Sequence, residues 1–131
     1  MTDLQSLRER LAEAAGPDLE LDGAIMLAVG AGKGELGWYW PGEPNVQHAY
    51  DWPYLTASID AAVALAKRVV PNFHRWTAGE GRGETFAYID WREGDDENWD
   101  RKTGPVCHAP TAPLAILSAL LAALEARSQQ T

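Results

Sequence analysis

The sequence predicts an α+β fold: a small antiparallel sheet of three or four strands sandwiched between helical layers, with about four helices in all. Three observations lead there. Several stretches carry apolar residues at helical spacing. Two alternating runs between residues 73 and 91 flank a glycine-rich turn. The second of these runs is largely apolar on both faces, so both faces need covering, and helices on the two sides of a sheet supply that.

Leu4, Leu7 and Leu11, with Arg8, Glu9, Arg10 and Glu13 between them, predict an amphipathic helix over 3–15. Gly16-Pro17 ends it, glycine as a C-terminal cap and proline as a block to continuation. Asp18 then caps a second, more apolar helix from Leu19 to about Val29, closed by Gly30. Gly30-Ala31-Gly32-Lys33-Gly34 reads as a flexible connector. For the third helix Thr56 is the expected N-cap; Leu55, Ile59, Ala62, Val63, Ala66, Val69 and Val70 form its apolar stripe and Pro71 stops it.

The strands Phe73–Ala78 and Thr85–Trp91 are joined by residues 79–83, which hold more glycine than a tight turn needs. Alternation sets Phe86, Tyr88 and Asp90 on one face of the second strand and Ala87, Ile89 and Trp91 on the other. Residues 93–100, with five acids and no base, read as a solvated loop. Residues 104–108 are expected to add a short strand, and part of 36–40 another at the sheet's edge. The last helix runs from near Thr111 to about Arg127 on a seam of Leu114, Leu117, Leu121 and Leu124, widened by Ile116 and Leu120, with Pro113 in its first turn.

A chain of 131 residues fits one domain with a sizeable core. Its formal charge of −8 argues against direct nucleic-acid binding, which needs a basic face. Cys107 is the only cysteine, so no intramolecular disulfide and no thiolate metal cluster is expected. No signal-like apolar segment or spanning run is present, and the expected location is the cytoplasm.

The punctuation of the chain also carries a likeness. The motifs are 16–22 (GPDLELD), 54–62 (YLTASIDAA), Val70-Pro71 ahead of an aromatic strand, and the Ala/Leu helix after Thr111-Ala112-Pro113. In that order they resemble small phage and prophage proteins with a phage ABA-sandwich domain. The likeness implies a single such domain over 1–131, a sheet between helical layers, and a phage or prophage origin, hence a host bacterial cytoplasm. It implies no activity and no site residues. The aromatic segment at about 36–54 is longer than the family leads one to expect and reads as an insertion.

Tests for known chemistries fail one by one. The 30–34 run lacks the glycine and hydroxyl positions of a phosphate loop. Asp96 to Asp100 opens like a calcium loop, but Arg101 and Cys107 occupy its sixth and twelfth positions. His48, His74 and His108 are scattered, and adjacent Cys107 and His108 point to opposite faces of a strand. No serine lies on a strand-to-helix elbow, and nothing pairs Asp51, Glu84 or Asp90. No catalytic residue, metal or cofactor is therefore expected.

What remains is a set of rings and arginines. Trp38, Trp40, Trp52 and Tyr54 of the aromatic segment, with Arg75, Trp76, Arg82 and Arg92 of the hairpin, form the candidate ligand-binding set. Rings stack on bases and arginine grips phosphate through two hydrogen bonds, so a nucleotide-like molecule suits them. Joined to a phage origin, this suggests a non-catalytic accessory protein that sequesters a nucleotide-derived host immune signal, as a dimer or larger homo-oligomer. The alternative is an inhibitor or adaptor that meets a host protein through the same rings. An acidic mimic of nucleic acid ranks below both.

Overall fold

In the computed structural model, residues 4–34, 37–41 and 54–128 are described. The first two helices are α1, Leu4–Glu13, and α2, Leu19–Ala28. The side chain of Asp18 caps α2, accepting the Leu21 N–H at 3.1 Å. A hairpin of β1, Gly32–Gly34, and β2, Gly37–Tyr39, follows as a separate two-stranded sheet. The glycine run expected to be a flexible connector is therefore half of a hairpin, and the strand expected at the main sheet's edge pairs with that run instead. A Cβ at Gly32 would strike the Tyr39 ring, so a larger residue there would have to displace that ring.

Helix α3 is Ile59–Val69, and its cap is not Thr56. Ser58 takes that role by accepting the Ala61 N–H at 3.1 Å. Thr56 is buried and serves α2: its Oγ1 accepts the Asp18 N–H at 2.7 Å, and its own N–H donates to Asp22 Oδ1 at 2.7 Å. This tie holds the start of α3 against the start of α2. The buried stripe of α3 is Ala62, Val63, Leu65 and Ala66, while Ile59 is left exposed.

The main sheet is antiparallel, with β3, Phe73–Gly81, against β4, Glu84–Gly94. Along β4's other edge lie β5, Trp99–Thr103, at its far end and β6, Cys107–Ala109, at its near end. Between them the Gly104 N–H donates to Ile89 O at 2.9 Å, which keeps that stretch of the edge satisfied. Part of the acidic 93–100 run is thus strand; its turn is closed by Asp95 Oδ1, which accepts the Glu97 and Asn98 N–H groups.

The β3–β4 turn is tight after all. Only Arg82 and Gly83 lie between the strands, with φ of 54° and 82°, the pattern of a type I′ turn. A long β-carbon-bearing side chain is costly at the first of these positions, where asparagine is preferred. Arg82→Asn is expected to raise stability by about 0.5–1 kcal/mol, read from the denaturant midpoint.

Helix α4, Ala112–Ser128, lies on the Ala87–Ile89–Trp91 face of the sheet, and α1 and α3 pack against it. Every residue from Leu114 to Ala123 is buried, Ser118 included, so the leucine seam predicted from spacing is one side of a helix enclosed all round. Arg8 on α1 reaches across to Glu125 at 3.0 Å. The mixed α+β class, the antiparallel sheet and the four helices are as the sequence predicts.

Candidate functional site

Strand β4 turns Ala87, Ile89 and Trp91 to the core, so Phe86, Tyr88, Asp90 and Arg92 fall on the opposite face. Register fills out that face. Thr77 lies opposite Tyr88, Arg75 opposite Asp90, Arg101 opposite Arg92, Trp99 opposite Gly94, and His108 opposite Phe86. Phe86 and Tyr88 are half-buried, whereas Arg75, Arg92, Trp99, Arg101 and His108 are exposed.

The charges on this face are not balanced. Arg75 Nη2 lies 3.4 Å from Asp90 Oδ2, and the Asp90 side chain is only 1% exposed, so these two offset each other. Arg92 and Arg101 are directly cross-strand on one face, an arrangement that costs stability because like charges sit side by side. Among the described residues neither arginine has a carboxylate partner. Arg92 leans instead onto the Trp99 ring, its guanidinium carbon 5.0 Å from the ring centroid. The His74 ring lies beside the same tryptophan, centroids 5.3 Å apart and planes at 52°.

The corner is held in place by backbone. The Arg92 N–H donates to Asn72 O at 3.0 Å, with Asn72 itself in the left-handed region at φ 58°. Gly94, at φ 118°, lets the turn fold back close over Asn98. A small cleft of about 120 Å³ results, lined by Asn72, Phe73, Arg92, Gly94, Asp95, Asp96 and Trp99.

The residues singled out from the sequence go to different places. Arg75 and Arg92 share the sheet face just described. Trp76 points the other way and packs half-buried against the core. Trp38 is a core residue, 2% exposed, with the Lys33 ammonium 5.7 Å from its ring centroid. Trp40 is half-buried beneath Arg68, whose guanidinium carbon is 4.4 Å from the ring centroid. Tyr54 is exposed, at φ 47°, ahead of α3. Arg82 occupies the turn at the far end of β4 from Arg92, and the eight residue steps of strand from Glu84 to Arg92 span roughly 26 Å. No mononucleotide bridges that distance. Trp52, His48 and Asp51 lie outside the described residues.

Sequence reasoning missed Trp99 and Arg101. The signal was there: Trp99, Arg101 and Thr103 alternate with Asp100 and Lys102 at strand period. The acidic residues before them made the stretch read as loop.

A second, larger cleft of about 390 Å³ lies between α1 and β6, lined by Gln5, Arg8, Glu9, Ala12, Val106, Cys107, His108 and Ser118. Its size suits a small ligand. Its chemistry is less directed: Arg8 is held by Glu125, and no Trp, Tyr or Phe lines it. Cys107 is buried, its thiol approaches Pro105 O at 3.7 Å, and burial pushes its pKa above the ordinary thiol range despite the nearby Arg8. A thiol kept protonated is a poor nucleophile, and exposed His108 is on the other face of the strand. Among the described residues no group of three or more His, Cys, Asp or Glu is placed to hold a metal ion. No described helix is long and apolar enough to cross a membrane.

No family model matches this chain, and no curated protein or solved structure matches it either.

Proposed function

We propose that this protein acts by binding, and that its ligand is a nucleotide-derived small molecule held on the exposed face of the sheet. Trp99, Arg92 and Arg101 form the centre of that site, with Arg75 at its margin. The observation that carries the reading is the exposed arginine pair beside an exposed tryptophan, on a chain whose net charge is −8. Stacking of a base on such a ring contributes roughly 1–3 kcal/mol, and guanidinium groups hold phosphate oxygens through charge-assisted hydrogen bonds. In a phage setting such a protein sequesters a nucleotide-derived signal of host immunity.

A second reading has its own support. Leu19, Tyr54 and Ile59 are 54%, 52% and 43% exposed. The Thr56 tie brings the chain around them together at the starts of α2 and α3. Exposed apolar groups in one place mark protein interfaces, so this end suits a host protein partner.

Native mass spectrometry of the purified protein, alone and with cyclic nucleotides, cyclic oligonucleotides and ADP-ribose derivatives, tests the two readings. A retained nucleotide mass, lost in Trp99→Ala, is the expected result. Clean apo mass across the panel, together with capture of one host protein that Tyr54→Ala abolishes, favours the second reading.

A further inference from the structure

We infer that the anionic part of the ligand is a phosphate group carrying at least two negative charges, a phosphomonoester or a pyrophosphate, gripped between Arg92 and Arg101. This deepens the nucleotide reading above and rests on it. The starting point is the direct cross-strand pairing of two arginines on one exposed face. Such a pair is unfavourable unless something negative lies between the two side chains. Two arginines facing one another across antiparallel strands hold their Cβ atoms about 4.5–5.5 Å apart, close enough for both forks to reach the oxygens of one phosphorus centre.

Charge matching selects the kind of phosphate. Asp90 lies on the same face, two residues before Arg92, but it is buried and its Oδ2 faces Arg75, so that pair is close to neutral. Asp95 and Asp96 sit on the turn beyond Trp99, and Asp95 Oδ1 is engaged by two backbone N–H groups. Register puts Asp95 and Asp96 on the turn side of Trp99 and the Arg92–Arg101 pair on its other side, so positive charge is concentrated at the two arginines. A phosphomonoester carries close to two negative charges at neutral pH and matches it. A phosphodiester carries one and leaves a guanidinium unmatched.

The resting position of Arg92 fits this assignment. Its guanidinium covers Trp99, a ring that accepts a cation without neutralising its charge. A dianion between the arginines draws Arg92 off the ring and frees the indole face for a base. Ligand binding then has two coupled signatures: loss of the guanidinium from the ring, and a change in Trp99 emission.

The test is calorimetric titration at pH 7.5 and low salt, using adenosine and guanosine, their 5′-monophosphates and diphosphates, their 3′,5′-cyclic monophosphates, and inorganic pyrophosphate. Wild type is compared with Arg92→Ala and Arg101→Ala, both at exposed positions. The expected result is a 5′-mono- or diphosphate binding at least tenfold tighter than the cyclic monophosphate of the same base. Arg101→Ala is expected to remove that preference and, without ligand, to raise the melting temperature by relieving the repulsion. A cyclic monophosphate binding as tightly as the monoester, or Arg101→Ala leaving monoester affinity unchanged, overturns the subsite while the nucleotide reading stands. Pyrophosphate binding that is lost in Arg101→Ala, with no gain from any base, supports the subsite and overturns the nucleotide reading. Absence of binding by every compound overturns both.

Discussion

Trp91→Ala is expected to cost about 3–5 kcal/mol, the range for removing a fully enclosed large side chain whose surroundings collapse only partly. Trp91 is the largest fully buried side chain among the described residues, 1% exposed. A Cβ at Gly104 would lie 3.3 Å from its ring and 3.5 Å from Ala123 Cβ, so strand, connection and helix converge on the indole. Its Nε1–H donates to Glu93 Oε1 at 3.1 Å, which satisfies the one polar atom the ring carries. Domains of this kind are stable by only about 5–15 kcal/mol, so the loss removes a large share. A guanidinium titration should show the midpoint falling with little change in slope. A loss below about 1 kcal/mol would show that the ring is not enclosed.

Ala119→Lys is expected to unfold the domain, whereas Ala64→Lys leaves it within about 0.5 kcal/mol of wild type. Both replace alanine inside a helix, so helix propensity is nearly matched. The difference is environment: Ala119 on α4 is 0% exposed, while Ala64 on α3 faces solvent. An ammonium group placed at Ala119, which is fully enclosed, must give up its hydration. Circular dichroism melting of the two variants is the measurement. A cooperative, near-wild-type melt for Ala119→Lys would overturn the account of α4 as a helix enclosed on all sides.

The helices were legible in the sequence because their signals are local. Asp18 caps α2, Gly16-Pro17 separates the first two helices, and Pro71 follows the third, all within a few residues of what they punctuate. Thr56 misled for the complementary reason. A hydroxyl two residues before Ser58 is an equally good cap on paper, and only the packing of α2 beside it decides that Thr56 bonds Asp18 and Asp22 instead.

The strands were harder. Gly32-Lys33-Gly34 has no strand character of its own and becomes β1 only because Tyr39 and Trp38 lie across from it. The Trp99–Thr103 strand was hidden by the acids that precede it, and with it went half of the candidate site. Arg75 and Arg92 were singled out as hairpin arginines, but the face they share and their partners Asp90, Trp99 and Arg101 are matters of register. Register depends on where the turn falls, and the turn at Arg82-Gly83 was shorter than its glycine content suggested. Trp38 and Trp91 illustrate the limit on reading rings: composition places them in a list of aromatics, and only three-dimensional packing separates them, as core residues, from Trp99, which faces a solvent cleft.

The helix at the centre of the core is also the last of the ten elements to be synthesised. Everything that packs on it, from α1 onward, leaves the ribosome with its apolar face uncovered, and the Arg8–Glu125 contact closes across 117 positions of sequence. Chains of this size emerge over seconds, while isolated helices and hairpins form and dissolve in microseconds. Until α4 follows them in chain order, these elements are fluctuating fragments without their common partner. Docking α1 on α4 closes a long loop, so that contact carries a large entropic cost and favours slow folding.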